Sequence, residues 1–164
     1  SVSGIPMLVR PIRPEDGERL SAFYANASPA DMRLRFFMAR REVPHSELAR
    51  YCQIDYDREM TFVALAPKDE AGVQAMAGEV RAVADPDNRK VEFAIQIASQ
   101  WQGKGLGHAL MAKLLRYLRE RAVEEVSGQC LLENTGMAAL ARTLGFDVAP
   151  GPEGDTMSMH MMLR

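Results

Sequence analysis

The chain has 164 residues, 47% of them hydrophobic, which suits a single domain over residues 1–164 with a sizeable core. Its formal charge of −2 gives no support for a basic nucleic-acid face, and no apolar run approaches the roughly 20 residues that span a bilayer. Cys52 and Cys130 are too few and too far apart for a disulfide framework or a metal knuckle, so they read as free thiols and no metal is expected. The N-terminus lacks a basic-then-apolar leader, and the expected location is cytoplasmic. The chain begins at Ser1 rather than Met, which fits a piece of a longer polypeptide.

In chain order, "MLVRPIR" (7–13) alternates like a strand, and Pro14 with early acids starts a helix in "PEDGERLSAFYANA". Ser28 is the expected N-cap of a second helix, and "PHSELARYCQ" (44–53) reads as a third. The period then changes. Residues 60–67, 73–83 and 90–98 read as strands separated by "KDEAG" and "DPDN", short turns that imply an antiparallel meander. A glycine loop, "WQGKGLGH", precedes a helix over 106–121, a strand near 127–132 and a helix over 134–144. At the end, Met157, Met159, Met161 and Leu163 share one face and read as core filling. The expected class is α+β, a mixed and mostly antiparallel sheet with helices on its faces.

The glycine loop needs an explanation, because such loops before helices often hold phosphates. The Walker A pattern fails, since Gly105 follows Lys104 where Ser or Thr is required. The dinucleotide fingerprint would need glycine at His108 and would open a βαβ unit rather than follow a meander. The remaining pattern is Q/R-x-x-G-x-G/A, met by Gln102, Gly105 and Gly107. Here the chain resembles the GNAT superfamily of N-acetyltransferases, which bind acetyl-CoA. "ENTGMAALARTLGF" is similar to a second signature of that family, through Asn134, Met137, Leu140, Gly145 and Phe146.

The resemblance implies the GNAT fold and acetyl-CoA as cosubstrate. The coenzyme diphosphate is expected on Gln102, Gly103, Lys104, Gly105, Leu106, Gly107 and His108, where helix-start amides are unpaired and at the positive dipole end. Asn134 is expected to cap the helix beside the pantetheine arm. The family's strand before the loop splays from the next, so the backbone around Ile95, Gln96 and Ile97 is expected to grip the arm and face the thioester oxygen.

Acetyl transfer needs a base, because a lysine-type amine (pKa about 10.4) arrives protonated. Glu92 is the candidate: a carboxylate in an otherwise apolar strand, where burial is expected to raise its pKa. The bland alternatives are an ion pair with Arg81 or plain exposure. Many family members have a tyrosine, proposed to protonate the thiolate, where this chain has Ala141. Either the thiolate leaves unprotonated, as a thiol pKa of about 8.5 allows, or water or another group serves; Tyr117 and Tyr51 have no geometry to promote them, and no general acid is assigned.

More narrowly, the chain is similar to bacterial protein lysine acetyltransferases that modify acyl-CoA synthetases, often as the C-terminal domain of a longer polypeptide. A protein lysine is therefore the expected acceptor, with Glu42, Glu47, Asp55 and Asp57 in the helical region that often shapes acceptor sites. A small-molecule amine acetyltransferase and a non-catalytic acetyl-CoA sensor stay open beside it.

Overall fold

A computed structural model of the chain describes residues 4–26, 59–131, 135–151 and 154–163. Seven strands form one sheet: β1 (Leu8–Pro11), β2 (Glu59–Leu65), β3 (Met76–Ala84), β4 (Lys90–Ile97), β5 (Glu125–Leu131), β6 (Asp147–Pro150) and β7 (Thr156–Met162). The spatial order is β1-β2-β3-β4-β5-β7-β6. Every pairing is antiparallel except β4 with β5. Among the described residues the α-helices are α1 (Gly17–Asn26), α2 (Leu106–Glu120) and α3 (Thr135–Leu144). The α+β expectation holds, and so does the meander β2–β3–β4. The expected Ser28 and 44–53 helices lie outside the described residues.

The meander turns are built by two aspartates. The Asp69 carboxylate accepts the N–H groups of Ala71 and Val73, both at 2.9 Å. Val73 therefore belongs to the turn and is exposed, and β3 starts at Met76, later than its apolar run implies. Asp85 plays the same part before β4, accepting from Arg89 at 3.0 Å and Lys90 at 3.2 Å. β6 went unread in the sequence: it is four residues long and ends in proline, as does β1 at the other edge.

The sheet separates two cores. On one face α2 lays down Leu106, Leu110, Met111, Leu114, Leu115 and Leu118, a stripe at helical spacing. These pack with Phe62, Val80, Val91, Phe93 and Val126. Met159 and Met161 join this core and Met157 and Leu163 pack against it, as their spacing implied. On the other face α1 covers the β1–β3 half through Leu20, Phe23 and Tyr24 against Ile12, Val63 and Leu65.

The turn into α1 is locked by charge rather than by capping alone. Arg10 grips the fully buried Asp16 with two bonds, Nη1–Oδ2 at 2.7 Å and Nη2–Oδ1 at 2.8 Å. The Arg13 N–H adds 2.7 Å and Arg19 Nη1 3.2 Å. Burial alone pushes the Asp16 carboxyl up, but the Arg10 bonds, the Arg13 N–H and Arg19 together hold it below the ordinary carboxylate range. A depressed folded value stabilises the protein above the unfolded pKa of about 3.9, and that stability is lost as pH falls through the folded value. Asp16→Asn leaves Arg10 uncompensated and costs about 3–5 kcal/mol at pH 7. Urea denaturation at pH 7 and pH 3 should show that loss and a weaker acid sensitivity in the variant.

Candidate functional site

The site is a gap in the sheet. β4 and β5 pair only from Lys90–Glu125 to Phe93–Gly128, although both strands run on beyond. Ala98 donates to the Ala77 carbonyl at 2.8 Å and Lys90 accepts from Asp85 at 2.9 Å, so even-numbered residues of β4 direct their backbone groups toward β3. Odd-numbered residues face β5, as the Arg89 carbonyl confirms by accepting from Glu124 and Glu125. Of the three expected gripping residues, Ile95 and Ile97 therefore open into the splay, while Gln96 is bound to β3 opposite Glu79.

Gly128 marks the apex. A Cβ there would lie 2.7 Å from the Phe93 ring, which stacks with Phe146 at 5.5 Å between centroids. Phe146 is placed by the end of α3. Gly145 adopts φ +98°, its N–H reaches the Arg142 carbonyl at 3.1 Å, and the Phe146 N–H reaches Ala141 at 2.9 Å, a Schellman closure. The G-F pair of the second signature thus helps to shape the apex. Asn134 lies outside the described residues.

The glycine loop sits above the gap. Gln102 Nε2 donates to the Ile97 carbonyl at 3.0 Å, tying loop to strand. Gly103 and Gly105 have φ +74° and +90°, a left-handed backbone that favours glycine. Gly107 serves packing instead, since a Cβ there would press on Leu140 of α3 at 3.2 Å. The first α2 bond runs from Ala109 to the Gly105 carbonyl, so the N–H groups of Leu106, Gly107 and His108 have no acceptor within the helix. Leu106 contributes backbone alone, its side chain being buried. Lys104 and His108 are exposed at the rim, Lys104 Nζ lying 5.7 Å from the Trp101 ring. Unpaired amides, a helix dipole and nearby cations are the set of groups that holds a diphosphate.

Glu92 lies at the splay apex, level with Ser127 and one residue short of the last β4–β5 pair. Its expected burial is not found. α1 covers the β1–β3 half of this face, so Glu92 is exposed and has no hydrogen bond or ion pair among the described residues. Arg81 stands opposite Ala94 instead and is itself buried. Buried polar residues do occur beside it: Thr61, Glu79, Arg81 and Gln96, with Tyr24 Oη donating to Glu79 at 2.5 Å. Sequence reading missed Glu79, though "GEVRAV" carries the same signal as Glu92, an ionisable group alternating within an apolar strand.

Ala141 is fully buried in the core. Tyr117 stands eleven residues beyond Leu106 on α2, about 16 Å from the loop at 1.5 Å per residue. It packs on Phe62 at 5.6 Å and lines a cavity of about 240 Å³ with Glu59, Met60 and Arg121. That cavity lies at the opposite end of α2 from the glycine loop, so Tyr117 stands far from the expected coenzyme site. Tyr51 and the acids at 42, 47, 55 and 57 lie outside the described residues. No helix of the described residues is long and apolar enough to cross a membrane.

Comparison with known proteins agrees with this geometry. Residues 7–147 match the family described as Acetyltransferase (GNAT) domain. The chain is 32% identical over 159 residues to Acetyltransferase PA5475 of Pseudomonas aeruginosa, covering 97% of this chain and 84% of that protein. Among solved structures it resembles the GNAT domain of S. lividans PAT (TM-score 0.83, 22% identity, 94% of this chain and 89% of that one). It also resembles spermidine N-acetyltransferase from Vibrio cholerae, solved with CoA and spermine (TM-score 0.75, 20% identity, 96% and 95% covered). At those identities the structural likeness shows the fold. The family match and the curated relative show more: this chain belongs to the GNAT acetyltransferases, enzymes that move an acyl group from a coenzyme A thioester to an amine.

Proposed function

We propose that the enzyme takes acetyl-CoA as its cosubstrate and acetylates a lysine side chain of a protein, with Glu92 as the base. The observation that carries this reading is the early end of the β4–β5 ladder. It opens the amides of Ile95 and Ile97 to the pantetheine arm directly beneath the unpaired amides of α2. Diphosphate at the loop and thioester at the apex set the reacting carbon beside Glu92. An amide of Ile95 on the thioester oxygen would stabilise the tetrahedral oxyanion. Glu92 then removes the ammonium proton, directly or through a water, and loses its solvent as the acceptor covers it.

The open face supports a macromolecular acceptor. Glu92 and Gln129 are exposed, and Ala94 and Ser127 are half-exposed, so a lysine on a protruding loop can approach the apex without entering a closed pocket. A small-molecule amine is the second reading, favoured by the likeness to a polyamine acetyltransferase. A sensor without catalysis is disfavoured by the retained Glu92. Mass spectrometry of cell extract treated with isotope-labelled acetyl-CoA separates the first two. Labelled protein lysines are expected, and labelled small amines alone would overturn the protein acceptor.

Two substitutions test the machinery. Glu92→Gln should lower kcat by about 10²-fold or more with little change in acetyl-CoA affinity. Full turnover in that variant would discard the base assignment. Gly105→Ala forces a β-carbon onto φ +90°. If the loop relaxes at a cost of about 1.4 kcal/mol, acetyl-CoA binding by calorimetry weakens about tenfold.

A further inference from the structure

The coenzyme sulfur leaves as a thiolate, and neither Ala141 nor Tyr117 is placed to protonate it. Another set of residues shares one register row at the apex. Glu92 of β4 is level with Ser127 of β5, and Ser127 is level with His160 of β7. Directly opposed residues project to the same face, so the three stand in one row across adjacent strands, roughly 5 Å per step. The row lies one residue before the last β4–β5 pair, where the sulfur end of the coenzyme is expected.

His160 is held for such a role. Its Nε2 lies 2.5 Å from Glu125 Oε1, and Lys90 Nζ approaches the other Glu125 oxygen at 3.8 Å. Its Nδ1 has no partner among the described residues. Asp147 of β6 is its Cα partner on the far side. The groups facing the ring are therefore Glu125 and Ser127 from β5 and Asp147 from β6, with Lys90 of β4 behind Glu125. The ring is half-exposed and exchanges protons with solvent.

We propose that His160, acting through the Ser127 hydroxyl, supplies the proton that the departing coenzyme thiolate takes. This rests on the reading of the apex as the acetyl-transfer site. The amine gives its proton to Glu92 and its electron pair to the thioester carbon. As the C–S bond breaks, sulfur takes the Ser127 hydroxyl proton, Ser127 takes one from the imidazolium, and solvent restores His160. Ser127 touches the leaving group, and His160 acts through it.

The test follows thiol release from acetyl-CoA with spermidine, a lysine peptide or water alone as nucleophile, since the C–S bond breaks in each case. His160→Gln and Ser127→Ala should each lower kcat by about 10²-fold while leaving the acetyl-CoA KM and the circular dichroism spectrum unchanged. Full kcat in either variant, or a loss that appears in the acetyl-CoA KM rather than in kcat, overturns the relay. The base reading fails separately: if Glu92→Gln keeps its activity while Ser127→Ala and His160→Gln lose kcat, the relay stands and Glu92 is not the base.

Discussion

Four residue pairs of parallel ladder are all that join β4 to β5, and the working parts of this enzyme depend on where that ladder stops. Had it continued, the backbone groups of Ile95 and Ile97 would be spent on β5. Left open, they are polar groups in need of a partner, one of which Gln102 supplies to the Ile97 carbonyl. The remaining amides suit an extended amide-bearing ligand that behaves like a missing strand, which is what a pantetheine arm is. At the last ladder pair the Phe93 ring lies over Gly128, where a side chain would collide with it.

The two faces of the sheet divide the labour. The α2 face is leucine-rich, and its packing fixes the start of α2 relative to β4, so the loop amides and the open amides of β4 form one rigid ruler, as the proposed coenzyme site requires. The Gly107–Leu140 approach adds α3 to that ruler. The opposite face is polar from β4 outward, with Glu92, Glu125, Ser127 and His160 partly open to water. Proton traffic needs such a face; coenzyme alignment needs the other. A single strand, β4, serves both through alternation of its residues.

Much of this was legible in the sequence, for local reasons. Turn aspartates, glycines with positive φ and a six-leucine-type stripe report themselves within a few residues, so the meander, the loop and α2 could be read directly. The β6 strand could not, because "DVAP" has neither length nor alternation and pairs only because β7 is beside it. Glu92 was found by its odd position in an apolar strand, yet its burial was misjudged. That property depends on how far α1 extends across the sheet, which no pattern in β4 encodes. Glu79 shows the converse: it is fully buried beneath α1 and bonded to Tyr24 across 55 residues of sequence, a long-range pairing invisible to spacing.

The sheet margins carry a last consequence. Both outermost strands, Leu8–Pro11 and Asp147–Pro150, are four residues long and finish in proline, which has no N–H to offer a neighbour. Such borders give another polypeptide little to zip onto, so growth of the sheet by strand addition is disfavoured. Under the proposal of a protein acceptor, the broad surface of the sheet, rather than its rims, is the place where the reactive nitrogen would be delivered.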